Sequence, residues 1–324
     1  MVHPQIKIGV IGVGHLGKIH LRCLQQIPTI QVVGFFDTNT ANAEAAKREF
    51  NIPQFNTLEA MFVEVEAVDI VTPTITHFAI AAKAMQAGKH VFIEKPVTQT
   101  PNEAKQLIAL ADALRVKVQV GHVERFNPAM LSIKDVPVAP MFIEAHRLAT
   151  FNPRGTDVSV VLDLMIHDLD LILMVVKSAV KQISASGVCI VSPTHDIANA
   201  RIEFENGCTA NITASRLSMK QMRKFRMFQN DAYISLDFLE KNAQTIRLYE
   251  DSHKPPIETL LPLETLTGTK WIAMDMPTPL PVNAIKMELE TFAEAIQNDT
   301  TPFVTLQDGF AALSLAYQVL EKIN

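Results

Sequence analysis

The sequence predicts an α/β fold in two parts: a doubly wound parallel sheet first, then an α+β domain with an open, mostly antiparallel sheet. Three observations predict it. Short apolar runs alternate with alanine-rich helical stretches over the N-terminal part, a glycine-rich turn joins the first run to the first helix, and beyond residues 121–128 hairpin signals take over. Strands are expected at 7–11, 31–36, 67–71, 90–93 and 117–120, with helices between them at 18–26, 41–50, 58–63, 77–87 and 102–114. Gly88 is placed to stop the fourth helix. The domain boundary is therefore set at 1–122 and 123–324. In the second part, Ala200 to Phe204 and Cys208 to Ala214 flank Glu205-Asn206-Gly207 and read as a hairpin, with more strand-like runs up to Tyr249. The proline-rich stretch 254–281, which holds the single tryptophan Trp271, reads as a long loop or an edge segment. Helices at 282–297 and 306–323 close the chain, and no internal repeat or low-complexity tract interrupts it.

The glycine turn carries the first functional reading. Ile6 to Ile11 feeds into Gly12-Val13-Gly14-His15-Leu16-Gly17, a G-x-G-x-x-G between strand and helix, the arrangement of a Rossmann dinucleotide site. Gly12 makes the tight turn, Gly14 lets the backbone approach a pyrophosphate, and Gly17 lets the helix pack close, its N-terminus facing the anion. The second apolar run ends at Asp37, twenty residues past Gly17, where a carboxylate accepts hydrogen bonds from a ribose diol and repels a 2′-phosphate. No arginine follows in 37–40 to receive that phosphate. The expected cofactor is NAD.

Composition narrows the partners. At 324 residues, 48% hydrophobic and 19% charged, the chain is globular and longer than one hydrophobic core usually serves. A net charge of −5 provides no long-range attraction for nucleic acid or an anionic membrane, so a small molecule is the expected partner. Cys23, Cys189 and Cys208 are odd in number and lack C-x-x-C spacing, which argues against a disulfide framework or a zinc site. With no cationic leader and no apolar run long enough to span a bilayer, a cytoplasmic protein is expected.

Three more segments bear chemistry. A strand runs into Thr72-Pro73-Thr74-Ile75-Thr76-His77; another ends in Glu94-Lys95-Pro96; and Leu162-Asp163-Leu164-Met165-Ile166-His167-Asp168 carries D-x-x-x-H. Lys95 lies just past a strand's carboxyl end, where open α/β sheets place ligands, so it is either a solvated cap or a functional cation. Asp163, His167 and Asp170 fall at i, i+4 and i+7 of an otherwise apolar helix; the stripe is either a self-satisfied internal pair or one wall of an active site. No metal site is expected, since no other ligand cluster is visible.

Together with the opening turn, these segments resemble the glucose-fructose oxidoreductase, inositol dehydrogenase and MocA family of sugar dehydrogenases, over most of the chain. The resemblance implies that Lys95 hydrogen-bonds the reacting hydroxyl, that Glu94 lies near the nicotinamide ribose, that His167 is the base, and that Asp163 binds substrate or orients it. It also implies a cis peptide before Pro96 and places Gly12 to Gly17, Asp37, Thr72, Pro73 and His77 near cofactor, although His77 equally suits a plain helix start. An imidazole with an ordinary pKa near 6.5 suits general-base work, and a lysine suits developing alkoxide charge.

Gly121-His122-Val123-Glu124-Arg125-Phe126-Asn127-Pro128, followed by Arg147 and Arg154, is similar to a branch of that family that oxidises the 3-hydroxyl of UDP-N-acetylglucosamine. That resemblance implies substrate contacts by His122, Arg125, Asn127 and Arg154, a diphosphate held by arginine, an aminotransferase downstream, and a route to lipid A or other surface polysaccharide. Arg125 pairing with a nearby acid to fasten the domain junction stays open. The basic cluster Lys220, Arg223, Lys224 and Arg226 reads as the solvated face of a strand or as a diphosphate contact; His20 and His253 have no partners in sequence. The family's open sheet implies a homodimer or homotetramer. Two rival readings stay open: the same chemistry on inositol, a hexose or another nucleotide sugar, and a non-catalytic NAD-binding regulator, against which Lys95, Asp163 and His167 argue.

Overall fold

The computed structural model describes residues 5–152, 156, 158–253, 255, 260–266 and 268–323. The chain divides into two compact units, Met1–Phe126 with Val282–Ser314, and Asn127–Pro281 with Leu315–Asn324.

The first unit is built on five parallel strands, β1 (Ile6–Ile11), β2 (Ile30–Phe36), β3 (Ala67–Ile70), β4 (His90–Glu94) and β5 (Val118–Gly121), in the order β2-β1-β3-β4-β5. The connections are helical: α1 (His15–Leu24), α2 (Thr40–Phe50), α3 (Leu58–Glu64), α4 (His77–Gln86) and α5 (Pro101–Leu114). Strand order reverses between β1 and β3, and the crevice outside their carboxyl ends is where such sheets bind ligands. Local signals explain the helix bounds. Asn39 and Thr57 cap α2 and α3, and Thr100 with Glu103 forms a capping box that opens α5 with Pro101 at its first position. Arg115 in the left-handed region ends α5, and Gly88, at φ 70°, follows α4 as expected.

The second unit carries a short helix α6 (Pro128–Leu131), strand β6 (Phe142–Leu148), and one π-turn (Val161–Met165) running into α7 (Ile166–Val176). Then come β7 (Val180–Val188), β8 (Ile197–Phe204), β9 (Thr209–Ser215), β10 (Met222–Phe228), β11 (Ala232–Asp237), β12 (Asn242–Glu250), β13 (Leu261–Thr265) and β14 (Gly268–Asp275). They form one sheet in the order β13-β14-β12-β11-β10-β6-β9-β8-β7, antiparallel throughout except for β6 beside β9. Burial alternates strictly along β6 and β11, so one face is core and the other polar or half-covered. The proline-rich stretch thus resolves into an edge hairpin, β13 and β14, with Trp271 paired across from Tyr249 and its indole N–H donating to Asp251. Prolines fit there because an edge strand has one unpaired side.

Two helices follow, α8 (Ala284–Gln297) and α9 (Leu306–Ile323). The compact units do not divide simply at the expected 122/123. The first unit extends to Phe126 and also takes Val282–Ser314, because α8 fills its core: Leu289 and Phe292 are at most 1% exposed, and Phe292 meets Phe92 of β4 edge to face. Gln119 Nε2 donates to the Glu288 carbonyl, and the Val120 amide donates to Val304, tying this late segment to β5.

Candidate active site

At the carboxyl edge of the first sheet the structure brings together the residues expected there. Gly12 has φ 91°, and a Cβ on it would meet the Val71 carbonyl at 2.8 Å and the Thr72 methyl at 2.9 Å. A Cβ on Gly17 would run into the Gly12 carbonyl oxygen. Both glycines are thus required by the chain itself. Gly14 differs, since a Cβ there would meet only Asn42 Nδ2 at 3.9 Å; nothing in the protein requires a glycine. The turn leads into α1, whose N-terminus has no side-chain cap and no acid in its first turn, with His15 and Leu16 exposed. Asp37 Oδ2 accepts the Val13 amide at 2.8 Å and Oδ1 accepts the Asn39 amide at 2.7 Å, so the carboxylate is fixed beside the turn. Open space at Gly14, uncapped helix amides and an anchored carboxylate fit a dinucleotide: amides for the pyrophosphate, Asp37 for the ribose diol.

Thr72 and Pro73 follow β3. His77, at the start of α4, is 1% exposed and lies between two carbonyl oxygens, with Nδ1 2.9 Å from Pro96 O and Nε2 2.8 Å from Thr72 O. Burial lowers its pKa while those two carbonyls work the other way. His77 therefore ties the Thr72 turn to the Lys95-Pro96 turn, and the Lys95–Pro96 peptide is cis, as the resemblance implied.

Beneath Lys95 lies a polar cluster that sequence reasoning missed. Glu94 Oε2 accepts the Lys95 amide at 3.1 Å, and Gly121 on the neighbouring strand leaves room for that carboxylate, because a Cβ there would be 2.9 Å from Glu94 Oε1. His20, expected to be partnerless, is fully buried: Nδ1 is 3.0 Å from Asp69 Oδ2 and Nε2 is 3.2 Å from Glu94 Oε1. Glu288 of α8, also fully buried, completes the group. Burial disfavours charge on His20, yet Asp69 and then Glu94 hold the ring protonated well above the ordinary histidine range. Burial likewise opposes charge on Glu94, but His20 keeps it below the usual carboxylate range. One signal was available: Asp69 stands inside an apolar parallel strand, which is buried on both faces and must give an acid a partner.

Past β5, His122 is 1% exposed, and Arg125 is 7% exposed with Nη2 3.3 Å from Asp308 Oδ1. Arg125 thus pairs with an acid, Asp308. Burial works against charge on Asp308, but Thr305 and Arg125 hold its carboxyl below the ordinary range.

In the second unit, Asp163 and His167 are both half-buried, at the π-turn and in the first turn of α7. Residues Val161–Met165 wind more widely than an α-helix, so Asp163 sits in a π-turn and His167 in the α-helix that follows it. The helix is buried as expected, with Ile166, Leu169, Leu171 and Ile172 inaccessible. Arg147 of β6 clamps it: Nε and Nη2 each donate at 2.9 Å to the two oxygens of Asp168, next to His167. Two of the three Arg147 nitrogens are thus engaged by Asp168. Asn127 caps α6 by accepting the Ala129 amide and donates to the Phe238 carbonyl. Arg154 lies outside the described residues. Lys224 and Arg226 pair with Asp237 and Glu144 on the open face of β10, the solvated-face alternative for the basic cluster.

Fold and glycine turn together define a dinucleotide-dependent oxidoreductase. The chain belongs to the Gfo/Idh/MocA oxidoreductase family: the model of its NAD-binding Rossmann fold matches residues 6–122, and that of its C-terminal domain residues 142–234. The chain is similar to a UDP-N-acetylglucosamine 3-dehydrogenase from Acidithiobacillus ferrooxidans, with 37% identity over 98% of this chain and 97% of the relative. A solved structure of a protein of that name and organism matches with a TM-score of 0.88 at 36% identity, covering 100% of this chain and 98% of the other. A scyllo-inositol 2-dehydrogenase (NAD+) from Bacillus subtilis is 27% identical, covering 93% of this chain and 89% of its own. The protein is an NAD-dependent oxidoreductase. Among the described residues no helix is long and apolar enough to cross a membrane.

Proposed function

We propose that this protein oxidises the 3-hydroxyl of UDP-N-acetylglucosamine to the 3-keto sugar. The observation that carries the reading is the near full-length similarity to the Acidithiobacillus ferrooxidans relative, with Lys95, Asp163 and His167 all present. NAD, when bound, supplies the hydride acceptor. His167 takes the hydroxyl proton, Lys95 stabilises the negative charge that develops on that oxygen, and Asp163 binds the sugar or orients the base. Glu94 sits by the nicotinamide ribose, with Thr72, Pro73 and His77 shaping the same turn. His122 and Arg154 contact the nucleotide sugar. Arg125 and Asn127, tied to Asp308 and Phe238, hold the substrate-binding segment in shape.

A 3-keto sugar is the substrate an aminotransferase needs, so the product passes to one, in the cytoplasm, on the way to lipid A or other lipopolysaccharide sugars. The half-covered sheet face with Phe142, Phe228 and Tyr233 is the surface through which copies join as a homodimer or homotetramer; sedimentation velocity checks it.

The experiment is NADH formation from NAD and UDP-N-acetylglucosamine, with an aminotransferase present to remove product. Turnover is expected, and His167→Ala and Lys95→Ala each lower it by about 100- to 10,000-fold, the first with NAD affinity nearly intact. Full activity in both variants overturns the residue roles. Tight NAD binding without turnover moves the substrate to other nucleotide sugars, hexoses or inositol, and silence across that panel leaves a non-catalytic NAD-binding regulator.

A further inference from the structure

The buried cluster under Lys95 has three members that the proposed reaction does not use, His20, Asp69 and Glu288, and the last is the one without a donor. Glu288 is inaccessible to solvent, and its place is fixed by the backbone, because its own carbonyl accepts from Gln119 Nε2 at 2.6 Å and Thr291 Oγ1 at 2.9 Å. Its side-chain oxygens are a different matter. Among the described residues neither receives a hydrogen bond, while the facing atoms of His20, Glu94 and Glu288 all lie within 4.8 Å of one another. A buried carboxylate with no donor is costly; a carboxyl that carries its own hydrogen can instead give it to an acceptor. The acceptor at hand is Glu94. The groups facing Glu288 are His20 and Cys23 from α1, Asp69 from β3 and Glu94 from β4.

We propose that Glu288 is a positioning residue for the Glu94–Lys95 pair: a buried carboxylic acid whose hydrogen goes to the Glu94 carboxylate and fixes the orientation in which that carboxylate holds the Lys95 amide. Its catalytic consequence rests on the role of Lys95 given above. Burial pushes the Glu288 carboxyl well above the ordinary range, and negative Glu94 pushes it the same way against the pull of His20. Glu94 is then held from three sides: by the His20 ring, its Nε2 3.2 Å from Oε1, by the Lys95 amide at 3.1 Å, and by the Glu288 hydroxyl. His20 is oriented in turn by Asp69. Four groups on two strands and two helices thus converge on the backbone of one lysine. A metal ion held by His20, Glu94 and Glu288 is the competing occupant. It would need all three groups deprotonated and a path into a sealed core.

The test uses Glu288→Gln, which keeps a donor of the same shape, and Glu288→Met, which keeps the volume and removes the donor, both in the full-length protein. An infrared difference between wild type and Glu288→Gln at neutral pH is expected to show a protonated-carboxyl stretch present only in wild type. Hydrogen exchange of the Lys95 amide is expected to quicken in Glu288→Met and stay unchanged in Glu288→Gln. In turnover, Glu288→Met is expected to lose about 10- to 100-fold in kcat with KM for NAD held, since a misplaced positioning group costs that much, while Glu288→Gln keeps most activity. Melting temperatures establish that both variants are folded. A missing carboxyl band, equal Lys95 exchange in the two variants, or Glu288→Gln falling as far as Glu288→Met overturns the proposal, as does a stoichiometric metal ion that Glu288→Gln loses. The infrared and exchange readouts need no substrate, so they decide the matter even where UDP-N-acetylglucosamine proves not to be turned over.

Discussion

Each unit of the molecule has a buried charged cluster at its centre of interest, and these two are built on opposite plans. In the second unit, Arg147 and Asp168 form a closed pair, one charge of each sign and two parallel hydrogen bonds of 2.9 Å. In the first unit, His20 faces three carboxyls, Asp69, Glu94 and Glu288, and Glu288 is met by no donor among the described residues. The matched pair serves as an anchor, fixing the helix that carries His167 to β6. The open cluster can be neutral only by holding protons, so it responds to pH and to whatever sits at Lys95. Burial alone does not distinguish an anchor from an adjustable site. The donor and acceptor count does.

The largest effect is expected from opening the closed pair. Arg147→Ala leaves Asp168 buried without its partner and should cost about 3–5 kcal/mol, read by urea unfolding. A loss below about 1 kcal/mol, the value of an exposed pair, would remove the anchor role. Replacing both residues by apolar ones of similar size should restore most of the stability, because it removes the uncompensated charge.

A second contrast of the same kind lies within the glycine turn. Gly17→Ala drives a Cβ into the Gly12 carbonyl and should cost about 1–3 kcal/mol of stability. Gly14→Ala enters open space and should leave the melting temperature unchanged while weakening NAD binding, measured by titration calorimetry. Equal melting temperatures in the two variants, or unchanged NAD affinity in Gly14→Ala, would break the distinction.

The smallest effects are pH slopes, and their signs are opposite. Asp196 Oδ2 accepts three backbone amides, from Ile190, Val191 and Ser192, at 2.7, 2.8 and 3.1 Å. Desolvation opposes its charge, yet these donors hold the carboxyl well below the ordinary range. Its stabilisation is present above the unfolded value of about 3.9 and is lost as pH falls through the lower folded value. Glu288 is raised, so its contribution is full below about 4.3 and is lost as pH rises through the higher folded value. Thermal melts across pH should therefore show Asp196→Asn losing ground to wild type as pH rises from acid, and Glu288→Gln gaining on it toward alkaline pH. Parallel curves for either variant would mean that the carboxyl is not perturbed.

Much of this was legible in the chain. The five parallel strands, their helices, the turn at Gly12 to Gly17 and the position of Lys95 follow from local signals, because apolar period, caps and glycines act over a few residues. The resemblance supplied the roles that position alone left open. What was not legible is what depends on distant pairing. His20 meets Asp69 across 49 residues, and nothing near His20 announces it. Arg147 read equally well as an anion contact until Asp168 was seen against it. The π-turn escaped because the residues of Val161–Met165 are ordinary helix material. The edge hairpin of β13 and β14 hid behind proline, which bars a central strand but not an outer one.

The recruitment of α8 into the first unit has a consequence for the order of synthesis. The nucleotide-binding unit leaves the ribosome first but is completed only after most of the second unit has been made, because Leu289 and Phe292 close its core and Gln119 waits for the Glu288 carbonyl. At translation rates of about 5–20 residues per second, the interval between Phe126 and Val282 is roughly 8–30 s. During that time the nascent unit presents an uncovered groove of the kind chaperones hold, and a chain broken off before Val282 would leave the ribosome with its oldest part still unsealed.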